Sequence, residues 1–189
     1  VRARAAALMR NASIRYQALS ASLASVPVNT GKKLTYVIPL PDNRIRKKVL
    51  EYKPLVSRNA QRFALSEDII MAIIHTESHF NPLARSHAPA FGLMQIVPAT
   101  GRRLARNLGI RRFTTSTLTN PEVNIRMGML YFSQLVRQFG GAYYALASYN
   151  AGPGRARQWI KEFGDPRDPK VDPIDWIERI PIQETREYV

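Results

Sequence analysis

Cysteine is absent from the 189 residues, which excludes disulfide bonds, thiolate nucleophiles and cysteine-ligated zinc together. It does not assign a compartment, because many exported proteins also lack disulfides. No apolar run approaches the roughly 20 residues that a membrane-spanning helix needs. The longest, Ile69 to Ile74, has the length of a core helix segment, so the chain as given is expected to be soluble. Acids are scarce, with 14 Asp and Glu against 28 Lys and Arg and a net charge of +14. Between positions 78 and 121 there is no acid at all, whereas Arg85, Arg102, Arg103, Arg106, Arg111 and Arg112 fall inside that span. Convincing strand patterns are few, and no internal repeat or low-complexity tract is present.

What remains is the balance of an ordinary globular chain, 45% hydrophobic and 22% charged. At this length folding removes roughly 70% of the unfolded surface from water, enough for a real core without covalent staples. The positive charge favours a polyanionic partner, and nucleic acid, anionic lipid and cell wall all qualify. The first residue is Val1 rather than Met, which leaves open whether a signal peptide, lipid anchor or upstream domain precedes it.

Residues 1–25 read as an amphipathic helix ending near Val26-Pro27, and Leu34 to Leu40 as a short strand or extended linker. Residues 1–44 are thus expected to form an appendage or the tail of a preceding domain, and 45–189 the main domain. From Arg44 the signals are helical: a segment to Ala64 interrupted at Pro54, then Ser66 as N-cap with Glu67 and Asp68 in the first turn. Pro98 opens a helix that stops at Gly109. Asn120-Pro121-Glu122 starts another that runs to Gly140-Gly141. A short helix ends at Tyr149, another spans Arg155 to Phe163 after a glycine-flanked turn, and residues 164–173 read as an irregular loop before short terminal helices. The expected fold class is all-α, packed orthogonally.

One residue stands out. Ile70, Ile73, Ile74 and Glu77 lie at i, i+3, i+4 and i+7, so an apolar stripe ends in a carboxylate. Desolvation there would raise its pKa and keep a proton on it near neutrality, as protonating a glycosidic oxygen requires. The same periodicity also fits a helix-end acid turned to solvent. Asn81-Pro82 stops the helix, and the following Gly92-Leu93-Met94-Gln95-Ile96 could line a cleft, with Gln95 offering donor and acceptor to sugar groups. Ordinary glycosidases use two carboxyl groups, and no second one is near in sequence.

Glu77-Ser78-His79-Phe80-Asn81-Pro82, Ala84-Arg85-Ser86, Gly92-Leu93-Met94-Gln95-Ile96 and Tyr149-Asn150-Ala151-Gly152-Pro153-Gly154 together resemble the lytic murein transglycosylases, whose catalytic domain is goose-type-lysozyme-like. Asn124-Ile125 with Gly128 and Tyr131, Ile180-Pro181 and the terminal Glu184-Thr185-Arg186-Glu187-Tyr188-Val189 extend the match to about Lys53–Val189. The basic upstream segment is most similar to the membrane-bound type C group. The resemblance implies a lysozyme-like helical domain that cleaves the bond between N-acetylmuramic acid and N-acetylglucosamine without a cofactor or metal. Glu77 would protonate the linking oxygen, assisted by the muramic acetamide, and then take the proton of the C6 hydroxyl as that oxygen closes on C1. The product would be a 1,6-anhydro end. By the same resemblance Ser86 would bond near the acetamide, Gln95 and Asn150 would hold sugar groups, Met94 and Tyr149 would wall the cleft, and Tyr188 would stand close to Glu77. Met94 and Tyr149 fit a core role equally well, and Ser78 more naturally braces the helix end. Ala88, two after Ser86, departs from relatives that carry a hydroxyl there, which bears on subsite preference. The implied partner is peptidoglycan rather than nucleic acid, with membrane association through a segment outside this chain. The implied location is the periplasm or the periplasmic face of the outer membrane.

Two other classes compete. His75 and His79 lie at i and i+4, with His87 beyond, a spacing that can bind zinc, but the position after His75 that zinc proteases fill with Glu is Thr76. A noncatalytic basic module for wall glycan or nucleic acid would rest on charge and on Arg102, Arg103 and Arg106, with no helix-turn-helix or RNA-binding signature beside them.

Overall fold

Helix dominates because start and stop signals recur along the chain and the apolar residues between them fall at three- and four-residue spacing. The computed structural model describes residues 43–165 and 167–189. The expected helix at 1–25 and the extended piece at Leu34–Leu40 lie outside the described residues.

Helix α1, Asn43–Phe63, runs straight through Pro54, where the sequence predicts a break. Proline removes an N–H that would bond the carbonyl of residue 50. Pro54 and Leu50 both face solvent, so water can serve that carbonyl, while Tyr52, Val56 and Ala60 on the opposite face are buried and hold the helix in line. Helix α2, Glu67–Ser78, starts as expected: the Ser66 hydroxyl accepts from the Ile69 amide at 3.4 Å, and Glu67 and Asp68 sit against the positive end of the dipole. Its stripe of Ile70, Ile73 and Ile74 is buried.

Helix α3, Pro98–Asn107, is followed by a 3-10 turn, Thr115–Thr119, that nothing in the sequence pattern announced. Asn120 caps helix α4, Pro121–Phe139, through a bond from the Val123 amide, and Gly140 ends it in the left-handed conformation at φ 77°. Helix α5, Ala142–Ala151, extends two residues past the predicted end at Tyr149. Helix α6, Pro153–Phe163, the loop after it, and the short helices α7, Pro173–Glu178, and α8, Gln183–Tyr188, follow. Among the described residues there is no strand, only the isolated bridges Arg85–Phe91 and Phe91–Ile96 in the loop between α2 and α3.

Helix α4 is the hub, packing on α1, α3 and α5, while α5 also meets α6 and α8. Its buried face carries Ile125, Met127, Met129, Phe132 and Leu135, and each such side chain contributes roughly 1.5–3 kcal/mol relative to exposure. Trp176 of α7 is fully buried edge-on to Tyr144, Trp159 and Phe163, with ring centroids 4.8, 6.3 and 6.0 Å away, so the C-terminal helices are fastened to α5 and α6. Helix α8 packs on α5 and reaches the end of α2, where Tyr188 meets Glu77, 111 residues earlier in the chain.

Candidate active site

Glu77 occupies the last turn of α2 and is half-buried. His79 and Phe80 immediately after it both take positive φ, 49° and 60°, a reversal that folds buried Phe80 back under the helix end. Two consecutive non-glycine residues in that region are strained, and packing must hold them there. Ser78 helps: its one hydroxyl lies 3.0 Å from the Ile74 carbonyl and 2.9 Å from the Leu93 carbonyl, tying the helix end to the next loop. The Tyr188 hydroxyl donates to Glu77 Oε1 at 2.7 Å. Burial pushes the Glu77 carboxyl above its usual range; the Tyr188 bond pulls it back, and the charge of Glu184 pushes it up again. Burial, then the nearby Glu77 charge, also raises the phenols of Tyr149 and Tyr188.

A cleft of about 300 Å³ has walls that include Gln95, Thr100, Tyr131, Tyr149, Asn150 and Pro153; Glu77 is not itself a wall residue, but its charge reaches the phenol of Tyr149 in that wall. The Tyr149 hydroxyl donates to the Met94 carbonyl at 2.7 Å, fixing the ring between the loop and α5. Gln95 adopts φ 45° and donates from Nε2 to the Gly92 and Ala84 carbonyls at 2.8 and 3.2 Å. Its Oε1 is therefore the group it can offer a ligand. Asn150 has the opposite polarity, since its Oδ1 accepts from the buried Thr185 hydroxyl at 2.6 Å and leaves Nδ2 as the donor.

The loop carrying Gln95 is held from beneath by Asn124, which is fully buried. Its Oδ1 accepts from the Met94 amide at 2.7 Å and its Nδ2 donates to the Phe91 and Leu118 carbonyls, both at 2.8 Å. Gly92 lies against this amide at φ 79°, and a Cβ there would come within 2.2 Å of the Leu118 oxygen and 2.4 Å of Asn124 Nδ2. Only glycine fits that conformation and that space.

Of the residues singled out from the sequence, the fold pairs Glu77 with Tyr188 and sets Gln95, Tyr149 and Asn150 in one cleft wall. Met94 does not meet the cleft through its side chain. It is fully buried, and a Cβ on Gly128 would lie 2.4 Å from its sulfur, so it packs under the floor as core. Ser86 is exposed and spends its hydroxyl inside its own turn, bonding the Ala88 carbonyl and accepting from the Ala90 amide at 3.2 Å. The His75 and His79 rings stand 5.1 Å apart, and among the described residues no third acid or histidine joins them in a group able to hold a metal.

Residues 54–171, well over half of the chain, match the transglycosylase SLT domain. The chain belongs to the SLT transglycosylase family. The chain is 37% identical over 142 residues to the soluble lytic murein transglycosylase of Salmonella typhimurium, covering 74% of this chain and 21% of that protein. It is 32% identical over 159 residues to membrane-bound lytic murein transglycosylase C of Histophilus somni, covering 78% and 43%. In structure it is similar to an inactive Glu-to-Gln variant of the lytic transglycosylase Slt from Pseudomonas aeruginosa, with TM-score 0.67, 39% identity and coverage of 80% of this chain and 24% of that one. The chain thus spans about a fifth of the soluble relative and less than half of the type C one, and its similarity extends to both. The all-α fold expected from the sequence is that of lysozyme-like lytic transglycosylases. Among the described residues no helix of the SLT domain is long and apolar enough to cross a membrane.

Three residues with a part in the site were missed as site residues from sequence: Thr185, Asn124 and Glu184. Thr185 acts through the Asn150 side chain and Asn124 through the backbone of the loop, and their signal is a polar residue at a buried helical position, legible only once the partners are known. Glu184 lies 107 positions from Glu77 in sequence and is brought near only because α8 packs on α5.

Proposed function

We propose that this chain is the catalytic part, residues 45–189, of a lytic murein transglycosylase that breaks the bond between N-acetylmuramic acid and N-acetylglucosamine in peptidoglycan. The observation that carries the reading is a half-buried carboxyl of raised pKa, held at one oxygen by a phenol and near enough to the cleft wall for its charge to reach Tyr149, with amide groups in that wall that suit sugar substituents. With Tyr188 bonded to Oε1, Oε2 carries the proton. Glu77 gives it to the glycosidic oxygen as the C1–O bond breaks, so the N-acetylglucosamine side leaves with its 4-hydroxyl. The sugar acetamide assists at C1. The carboxylate then takes the C6 hydroxyl proton as O6 bonds C1, closing a 1,6-anhydro ring and restoring the acid. No water is consumed, and one group serves twice because its pKa lies nearer the working pH than an ordinary glutamate's. The Gln95 acceptor and the Asn150 donor together complement the N–H and C=O of an acetamide. Loss of activity in a relative on a single Glu-to-Gln exchange supports giving one glutamate the acid–base task. Such a substrate implies work in the periplasm or at the periplasmic face of the outer membrane.

Product masses from purified peptidoglycan test the reading. Anhydro-ended muropeptides, one water lighter than hydrolysis products, are expected. Reducing ends would make the chain a hydrolase, and no release at all would favour the noncatalytic wall-binding module.

Two exchanges should move the pH profile in opposite directions. Tyr188→Phe removes the bond that favours the carboxylate, so the Glu77 pKa rises and the alkaline limb of kcat/KM moves to higher pH. Looser positioning should also lower kcat by about 10- to 100-fold. Glu184→Gln removes a repelling charge, so the same limb moves to lower pH with kcat little changed. A large kcat loss in Glu184→Gln would instead make it a second catalytic carboxylate.

Thr185→Val keeps the shape of a buried side chain but releases Asn150 Oδ1. One lost hydrogen bond should raise KM by about 3- to 10-fold with a smaller effect on kcat. Thr185→Ser should restore it, whereas equal loss in both variants would point to packing alone.

A further inference from the structure

Helix α1 turns a cationic face to solvent along most of its length. Arg46, Lys47, Lys53, Arg58 and Arg62 are all exposed, and Glu51 is the one acid in the helix. Arg46 and Lys53 share one row of the helix surface and Lys47, Arg58 and Arg62 the neighbouring row, because sums of three- and four-residue steps separate them. From Arg46 to Arg62 the face extends about 24 Å. Among the described residues none of the five has a carboxylate within ion-pair distance. The inward side fixes this orientation. Tyr52, Val56 and Ala60 are buried, the Tyr52 ring stacks on Phe80 with centroids 6.5 Å apart, and Lys48 Nζ donates to the Phe80 carbonyl at 3.1 Å. In the middle of the cations stands Leu50, 61% exposed. Its surface neighbours, three and four residues away on either side, are Arg46, Lys47, Lys53 and Pro54.

A leucine ringed by cations gains nothing from the polar backbone of a glycan or a nucleic acid. It does gain at the boundary between lipid headgroups and acyl chains, where an amphipathic helix lies in the plane with its cations against anionic phosphates. Pro54 sets the depth. It leaves the Leu50 carbonyl without an intrahelical donor, and that group needs the water and headgroup donors of the outer layer rather than hydrocarbon. We infer that the outer face of α1 is a docking surface for an anionic lipid bilayer, with the helix flat on the membrane, Leu50 among the headgroups and the cations on phosphates around it. The contact holds the domain at a membrane surface without spanning it, and it does not depend on the transglycosylase reading. Each cation contributes about fivefold to partitioning at low salt, and Leu50, entering only shallowly, about five- to tenfold.

Co-sedimentation of the whole chain with phosphatidylcholine vesicles, with and without phosphatidylglycerol, tests the inference. Binding is expected only with phosphatidylglycerol and should weaken as salt rises. Lys47→Gln/Lys53→Gln/Arg58→Gln should lower it by about 30- to 100-fold, and Leu50→Gln by about five- to tenfold. Arg102→Gln/Arg106→Gln/Arg111→Gln removes the same charge from another exposed stretch and should stay within about twofold of the parent. Emission from Leu50→Trp should shift to the blue on the anionic vesicles alone. Equal loss in the two triple variants would reduce the effect to net charge and overturn the inference. Loss on removing the α1 cations with none in Leu50→Gln would also overturn it, marking a surface for polyanions such as glycan or nucleic acid. Failure of the parent to bind anionic vesicles would do the same.

Discussion

Replacing Glu77 with Gln should lower kcat on peptidoglycan by about 1,000-fold with little change in KM. The exchange keeps the shape and still lets the Tyr188 hydroxyl donate to a side-chain oxygen, but it removes the one group that gives and takes protons in the proposed cycle. Residual activity within tenfold of the parent would mean that another group, Glu184 foremost, carries the acid–base work. The same variant has a signature in stability. Burial lifts the folded-state pKa of Glu77 above its unfolded value, so the stability linked to this group is fully present below the unfolded pKa and is lost as pH rises through the folded one. Gln is neutral throughout and escapes that loss. Calorimetry should find the variant as stable as the parent or more so at neutral pH, with the advantage shrinking as pH falls into the ordinary carboxylate range. A variant less stable than the parent at neutral pH would show that the ionised carboxylate is favoured by its surroundings.

Asn124→Ala should be the most damaging change to the fold of the site. It strands the buried Met94 amide and frees the Phe91 and Leu118 carbonyls, three bonds of 2.7–2.8 Å lost from one side chain. An unpaired buried amide alone costs about 1–3 kcal/mol, and the whole change about 3 kcal/mol. For a domain of this size that lowers Tm by about 10 °C. Asn124→Asp should do no better, since it keeps the acceptor, loses both donors and sets a charge against two carbonyls. Activity should fall further than stability requires, because Tyr149 and Gln95 both anchor to this loop through Met94 and Gly92. Thermal melts and kcat measured well below the transition separate the two effects. A Tm within 2 °C of the parent's would show that the loop holds itself without Asn124.

The helices were largely legible because their caps are local chemistry: Ser66, Asn120-Pro121 and Gly140 each do in the structure what their residue type predicts. Pro54 misled for the same reason, since a local rule ignores the apolar face that keeps α1 continuous. The 3-10 turn at Thr115–Thr119 was invisible because its threonines bond to one another rather than follow an apolar period. At the site, the stripe ending in Glu77 could be read from spacing, although spacing alone left it between cleft and solvent. Its neighbours Tyr188, Thr185 and Glu184 depend on α8 packing on α5, a tertiary fact without a sequence period. Met94 shows the converse: a motif placed it in the site, whereas packing against Gly128 put its side chain beneath the cleft.

The central claim is that C1 of the muramic residue is captured by its own C6 oxygen and not by water. Digestion of purified peptidoglycan in water enriched in oxygen-18, followed by mass analysis of the new ends, tests that step directly. The account predicts anhydro ends that carry no label, formed by the parent and absent with Glu77→Gln. One labelled oxygen at each new reducing end would contradict it and make the enzyme a hydrolase.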